Sequence, residues 1–351
     1  MTRAFRIVFC FSLVVFYSNI TVGQISNVSI DPVFESYRDS LKNTPYQWRF
    51  PILGSKLRKM GFDLPFPNGI GINYAFSRQD ILVEKLSVGF DENSLVNVDG
   101  FARFRSIQAD VNGVTARYDF WLLPFLNFYA VGGVINSTTN VSLALPFELN
   151  FSVNNRGPVV GWGTVIAGGV GPLVLSANFT MAWTFLGKVS TPARSTVFNF
   201  QGGYMFRFKK KPERNIVMLF GIQYLGVNPS SSGSVDLEGL VGITPEKKAS
   251  ASEQLDDWYD DLSSTEQGVI GPIYNGISSW LNNEDPIELH YAFEKSLYYP
   301  LSLMVGFNFQ INHRYNVTGL YTFLGSRDQI VVGLGYRFGF KGNNLLEGVT
   351  L

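Results

Sequence analysis

The sequence predicts an all-β chain closed into an antiparallel transmembrane β-barrel of about 12 strands, with 14 as the alternative. Three observations carry this expectation. The first is the stretch from Leu301 to Phe340. Leu301, Leu303, Val305, Phe307, Phe309 and Ile311 alternate there with Ser302, Met304, Gly306, Asn308, Gln310 and Asn312. After the polar pair His313-Arg314, Tyr315, Val317, Tyr321 and Phe323 face one way and Asn316, Thr318 and Thr322 the other. Ile330, Val332, Leu334, Tyr336, Phe338 and Phe340 then alternate with Gln329, Gly333, Gly335, Arg337 and Gly339. Side chains of a strand point alternately to opposite faces, so each run has one apolar face and one small or polar face. Each run is about ten residues, the length that crosses a bilayer at a tilt.

The second observation is composition. Hydrophobic residues make up 46% of the chain and charged residues 16%, against roughly 25% charged in soluble domains. Aromatics at 15% and 35 glycines suit aromatic girdles and tight packing inside a barrel. The third is the lack, beyond the N-terminus, of any run of about eighteen apolar residues, so a membrane can be crossed only with strands. A formal net charge of zero gives nucleic acid no electrostatic support as a partner.

Residues 1–23 read as a signal peptide: Arg3 and Arg6 precede an apolar run from Ile7 to Tyr17, and Thr21-Val22-Gly23 offers a cleavage site before Gln24. The one cysteine, Cys10, falls within that run, so the mature chain has neither disulfide nor thiolate chemistry. An exported chain of amphipathic strands fits the outer membrane of a bacterium with two membranes. Residues 24–67 do not alternate. They carry Tyr46-Gln47-Trp48-Arg49-Phe50 and a basic patch of Lys56, Arg58 and Lys59, with a short helix closing near Ser40-Leu41-Lys42. They form either a periplasmic lead-in or partial plug, or a flexible terminus.

The barrel is expected over 68–340. Ile70, Ile72, Tyr74 and Phe76 begin it, followed by Leu86, Val88 and Phe90. Ile107, Ala109 and Val111, then Val114, Ala116, Tyr118 and Phe120, flank Asn112-Gly113, a strong hairpin signal. Runs follow at 128–134, 141–151, 162–166, 173–185, 198–208 and 218–224, and Ile287 to Phe293 is a candidate fourteenth strand. The insertion at 228–286 differs in kind. Leu255, Trp258, Tyr259 and Leu262 share one helical stripe, and Val269, Ile270, Ile273, Ile277, Trp280 and Leu281 another. Ser252 reads as an N-cap, and Pro272 as a kink. Leu255, Trp258, Tyr259, Ile273, Ile277 and Trp280 are therefore candidates for a plug or gate.

Signal peptide, repeated alternation and the final strand Gly333-Leu334-Gly335-Tyr336-Arg337-Phe338-Gly339-Phe340 together resemble bacterial outer-membrane β-barrel proteins over residues 68–340. The resemblance implies the fold, the outer membrane, contact with its lipids, and insertion by the barrel-assembly machinery, which reads a near-terminal aromatic. The tail at 341–351 departs from that pattern. The resemblance implies no substrate.

Charges within strands avoid lipid, where an Arg costs about 2–4 kcal/mol at mid-depth. Arg103, Arg105, Asp110, Arg117, Asp119, Glu148, Gln201, Arg207, Gln223, Gln310 and Arg337 are accordingly expected to line the lumen. That favours a narrow, porin-like channel for small polar or amphiphilic solutes, with a structural or adhesive barrel as the alternative. His290 beside Glu288, Glu294 and Ser296 could seed a lipid-modifying hydrolase, but nothing else supports an enzyme. His313 reads as a solvated turn residue. Asp256-Asp257 and Asp260-Asp261 lack calcium-loop spacing, and no cofactor or metal is expected.

Overall fold

The computed structural model describes residues 32–186, 192–228, 230–237, 244–282 and 288–345. Residues 1–23, expected to be a signal peptide, and the end of the tail lie outside them. Two helices, α1 (Pro32–Asn43) and α2 (Gly54–Lys59), precede β1 (Asn68–Gly89). There follow β2 (Val96–Asn97), β3 (Arg103–Leu123), β4 (Leu126–Leu145), β5 (Leu149–Val170), β6 (Leu173–Thr184), β7 (Ala193–Phe208), β8 (Lys211–Val227) and β9 (Ser230–Asp236). Helices α3 (Pro245–Asp260) and α4 (Ser264–Leu281) lead to β10 (Glu288–Leu297), β11 (Leu301–Gln310), β12 (Tyr315–Phe323) and β13 (Arg327–Phe338).

Ten strands close the wall in the order β1, β3, β4, β5, β6, β7, β8, β11, β12 and β13, with β13 returning to β1. The expected count of about 12 is therefore corrected to ten. The cause is strand length. β1, β3, β4 and β5 run for 20 to 22 residues, about twice what a tilted crossing needs, so apolar runs that read as two strands belong to one. The Asn112-Gly113 hairpin does not form. Asn112 pairs with Phe76 on one side and Asn136 on the other, and Gly113 with Ala75 and Ile135, within unbroken ladders. Conversely, the run at 141–151 is split, its first part ending β4 and its last part opening β5.

What changes at Asn112-Gly113 is which face is apolar. Below it Val114 and Tyr118 are exposed on the outer wall, in line with Ile70, Ile72 and Tyr74 of β1. They join Val160 and Trp162 of β5, Leu173 and Leu175 of β6, Phe198 and Phe200 of β7, Phe220 and Ile222 of β8, and Ile330, Val332 and Leu334 of β13. This continuous apolar belt suits lipid. Above Gly113 the phase slips by one residue. Ile107, Ala109 and Val111 turn inward, as do Ile81 and Val83 of β1, Val141 and Leu143 of β4, and Phe151 and Val153 of β5. The outer face there becomes polar: Arg78 Nε donates to Asp110 Oδ1 at 2.8 Å, Gln108 Nε2 to Asp80 Oδ1 at 3.0 Å, and Thr138 Oγ1 to Asn154 Oδ1 at 2.8 Å. The barrel is membrane-like in one half and organised like a water-soluble barrel in the other.

In that upper half the wall also changes partners. β1 leaves β13 at Gln79 and pairs through Ile81 to Gly89 with β10, whose other edge carries β9. β10 is thus no fourteenth wall strand. β6 begins pairing with β5 only at Val159. The extension is a curved sheet β9-β10-β1-β3-β4-β5 roofed by α3 and α4.

The roof helices have sound local reasons. Thr244, not Ser252, caps α3: its Oγ1 accepts from Lys247 N, and Pro245 follows at N1, where no backbone donor is needed. α4 opens with a full capping box between Ser263 and Glu266 and runs through Pro272 without a break in assignment.

Candidate functional site: an apolar chamber under a helical roof

The roof, the extension sheet and β10 line a partly open chamber of about 540 Å³, within the 300–1,000 Å³ usual for small-molecule sites. Ile81, Val83, Ile107, Val111, Val141, Leu143, Phe151 and Val153 form its walls, and Leu289, Tyr291 and Phe293 of β10 another side. Leu255, Trp258, Ile273, Ile277 and Trp280 face it from above. Of the expected plug residues only Tyr259 is not on the lining. It stacks on Tyr274, ring centroids 3.9 Å apart, and so ties α3 to α4. The Tyr274 hydroxyl donates to Asp256 Oδ1 at 2.8 Å, which pushes its pKa up to about 12.

The roof is packed as a core. Leu255 and Ala251 are wholly buried, with Trp280, Leu281, Leu237 and Phe147 around them. Ile270 and Ile273 form a second cluster with Val88 and Val98. Lys248 Nζ lies 4.8 Å from the Trp280 ring centroid and donates to the Trp280 carbonyl at 3.2 Å.

The expected lumen residues divide at the polarity switch. Arg117, Asp119, Gln201, Arg207, Gln223, Gln310 and Arg337 are placed on the inner face of the membrane half. Asp119 Oδ1 accepts from Arg337 Nη2 at 3.0 Å and from Asn127 Nδ2 at 2.9 Å, while Arg117 lies over the Tyr129 ring at 3.9 Å. Gln201 Nε2 donates to Ser176 Oγ at 2.9 Å. The Tyr129 hydroxyl bonds to Asn178 at 2.8 Å and to Thr180, and only a glycine at 163 leaves room for its ring. These groups pack against one another from strand to strand along the inner wall. Arg103, Arg105, Asp110 and Glu148 are corrected. Asp110 pairs with Arg78 on the outer face, and Arg105 Nη2 with Glu148 Oε1 at 2.6 Å on the exposed rim, where Arg103 also lies. The sequence expectation takes the apolar side of every run as the lipid side, whereas above Gly113 the apolar side faces inward.

At the opposite end, where β1 begins and β13 ends, residues 46–67 span the mouth. Ile52 N donates to Leu122 O, the end of β3. Asp63 lies 3.9 Å from Arg207, at the end of β7 across the ring. Asp63 accepts from the Tyr37 hydroxyl at 2.8 Å, with His313 Nε2 at 3.2 Å and Arg58 at 3.7 Å. Burial alone would raise the Asp63 pKa, but the His313 hydrogen bond and charge, with Arg207 and Arg58, outweigh it and lower it. The same bond raises His313 against its own burial, so His313 is no free turn residue. Asn344 fastens the tail beneath: its Nδ2 donates to the carbonyls of Trp48, Arg49 and Pro51 at 2.9 to 3.2 Å. Neither Asp63 nor Asn344 carried any pattern in sequence, since each is a lone polar residue whose partners are remote.

Glu288, His290, Glu294 and Ser296 share one face of β10, but Glu294 is held by Lys85 at 2.9 Å. Among the described residues no hydrogen bond links His290 to the others, and no cluster of three metal-ligating side chains occurs.

No protein-family model and no curated protein sequence matches the chain. Its structural neighbours are bacterial outer-membrane β-barrels, and the chain is itself a closed β-barrel. The outer membrane protein OprG from Pseudomonas aeruginosa is 9% identical, covering 79% of this chain and 98% of its own, with a TM-score of 0.36. The transport unit of the autotransporter AIDA-I from Escherichia coli is 12% identical, covering 89% and 100%, TM-score 0.31. The toluene transporter TodX from Pseudomonas putida is 10% identical, covering 90% and 95%, TM-score 0.27.

Proposed function

We propose that the protein is an outer-membrane barrel that captures small apolar or amphiphilic solutes in the chamber and passes them on when the helical roof moves. The chamber itself carries this reading: a partly open volume of about 540 Å³ lined mainly by aliphatic and aromatic side chains. A porin for polar solutes would place charges there, and the charges expected for that role at Arg105, Asp110 and Glu148 lie outside. With the start of β1 and the end of β13 at one end, taken as periplasmic, the roofed chamber faces the cell exterior. The belt then sits in the lipid of the outer membrane, and residues 1–23 serve for export.

Entry of the apolar dye N-phenyl-1-naphthylamine into cells tests this. Cells expressing the protein should take up the dye faster than controls, and Ala109→Trp, which fills the chamber from its wall, should return uptake to background. Entry of a small hydrophilic β-lactam should not change. Equal acceleration of both compounds would favour a polar pore instead. A purely structural barrel is favoured by one observation, the closure of both ends by α3–α4 and by residues 46–67. It predicts no uptake by either route.

A further inference from the structure

β10 contributes Leu289, Tyr291, Phe293, Lys295, Ser296 and Leu297 to the chamber lining. Four of the six are apolar; the two polar members are Ser296 and a lysine beside it. Lys295 is mostly buried, and burial lowers its pKa with no compensating charge. Among the described residues it makes no hydrogen bond or ion pair. The neighbouring carboxylate, Glu294, points to the other face of β10 and is taken by Lys85. No Asp or Glu is among the residues lining the chamber, and its one other charged residue is the exposed Arg194.

A second cation lies just beneath. Arg327 opposes Gln79, a chamber residue, in the β1–β13 ladder, while Lys295 opposes Val83 four residues, or about 13 Å, further up β1. Arg327 is buried at 7% exposure, and its Nε has no partner. Its guanidinium bonds to the neutral Gln329 amide oxygen. Arg327 does not line the chamber, but a desolvated Lys295 inside it, without a carboxylate, is costly unless an anion joins it. A methionine or leucine at 295 would fill the same space at no such cost.

We propose that the chamber is built for a single-chain amphiphile with one carboxylate head, its tail among the aliphatic walls and its head on Lys295. This rests on the chamber being the solute site and adds the class of solute. Few polar groups in an apolar pocket fix a ligand's orientation, and here there is one suited to an anion. A charge-assisted hydrogen bond in a dry site is worth about tenfold or more in affinity.

The two roof tryptophans, Trp258 and Trp280, allow a direct test with brominated quenchers. The full chain in lipid nanodiscs is titrated with 11-bromoundecanoate and with the neutral 11-bromoundecan-1-ol. Quenching is assigned to the chamber by the part lost in Trp258→Phe/Trp280→Phe. The acid should bind at least tenfold more tightly than the alcohol. That preference should vanish in Lys295→Gln and survive in Lys295→Arg, with heat-modifiable gel migration showing that each variant is folded. Equal binding of acid and alcohol by the unmodified protein, or an undiminished preference in Lys295→Gln, overturns the head-group assignment while leaving the chamber as an apolar site. If neither compound quenches the roof tryptophans, the chamber is no solute site, and both readings fall.

Discussion

Replacing Leu255 by alanine should free the roof while leaving the barrel intact. Leu255 is wholly buried between α3 and the top of β4 and β5, packed with Trp280, Leu281 and Phe147. The substitution removes three buried carbons, about 2.4 kcal/mol at about 0.8 kcal/mol per methylene. The cavity left behind raises the loss into the range of about 3–5 kcal/mol. The wall strands hold their own backbone ladders, so this loss falls on docking of the α3–α4 hairpin. At about 1.4 kcal/mol per factor of ten, the open fraction should rise at least 100-fold. Limited proteolysis in nanodiscs reads it: cleavage within 244–282 should accelerate strongly, while the heat-modifiable migration of the barrel stays. Asp257→Ala, on the exposed side of the same helix, is the control. If Leu255→Ala and Asp257→Ala are cut at the same rate, the hairpin is not held by its apolar underside, and a movable roof loses its physical basis.

Leu175→Arg should block membrane assembly, at about 2–4 kcal/mol for an Arg at mid-depth, because Leu175 stands exposed in the belt. Ser176→Arg turns inward beside Gln201 and should assemble far better, as a folded-band assay on gels will show; equal failure would mean the register is wrong. Closure of the terminal mouth should depend on pH. The His313 pKa is raised by its bond to Asp63, so its contribution is full below about pH 6.5 and is lost as pH rises through its folded value. The Asp63 pKa is lowered, so its contribution holds above about pH 4 and fades as pH falls through its folded value. Protection of residues 46–67 from hydrogen exchange, taken relative to the base-catalysed intrinsic rate at each pH, should therefore be greatest between these limits and lower at pH 9 than at pH 6, with the difference abolished in His313→Gln.

The sequence by itself determined the membrane half. Alternation in β6 to β8 and β11 to β13 placed Leu175, Phe200, Phe220 and Leu334 on the lipid side because a bilayer imposes one rule on every strand that crosses it. The same rule placed Asp119, Gln201 and Arg337 inside. The helical stripes of Leu255, Trp258 and Trp280 were equally legible, since a period of 3.6 residues is local. Strand number was not. Where β1, β3, β4 and β5 leave the lipid, the solvents exchange sides, and the apolar phase slips by one residue at places such as Asn112-Gly113. A slip of phase and a hairpin leave the same mark in a sequence; only pairing on both sides of Asn112 tells them apart.

Tertiary structure also decided what the inward residues do. Ile107, Val111, Phe151 and Phe293 lie far apart in the chain, and no local pattern says that they enclose one volume with Ile273 and Trp280. Lys295 reads as one polar residue in a strand until β10 is seen to turn it inward, away from Glu294. Asp63, His313, Arg207 and Asn344 are likewise single polar side chains in sequence. They meet because the segment before β1 crosses the mouth of the ring, where Asp63 reaches the end of β7 and the β11–β12 turn and residues 48–51 receive the tail, contacts with no local signal.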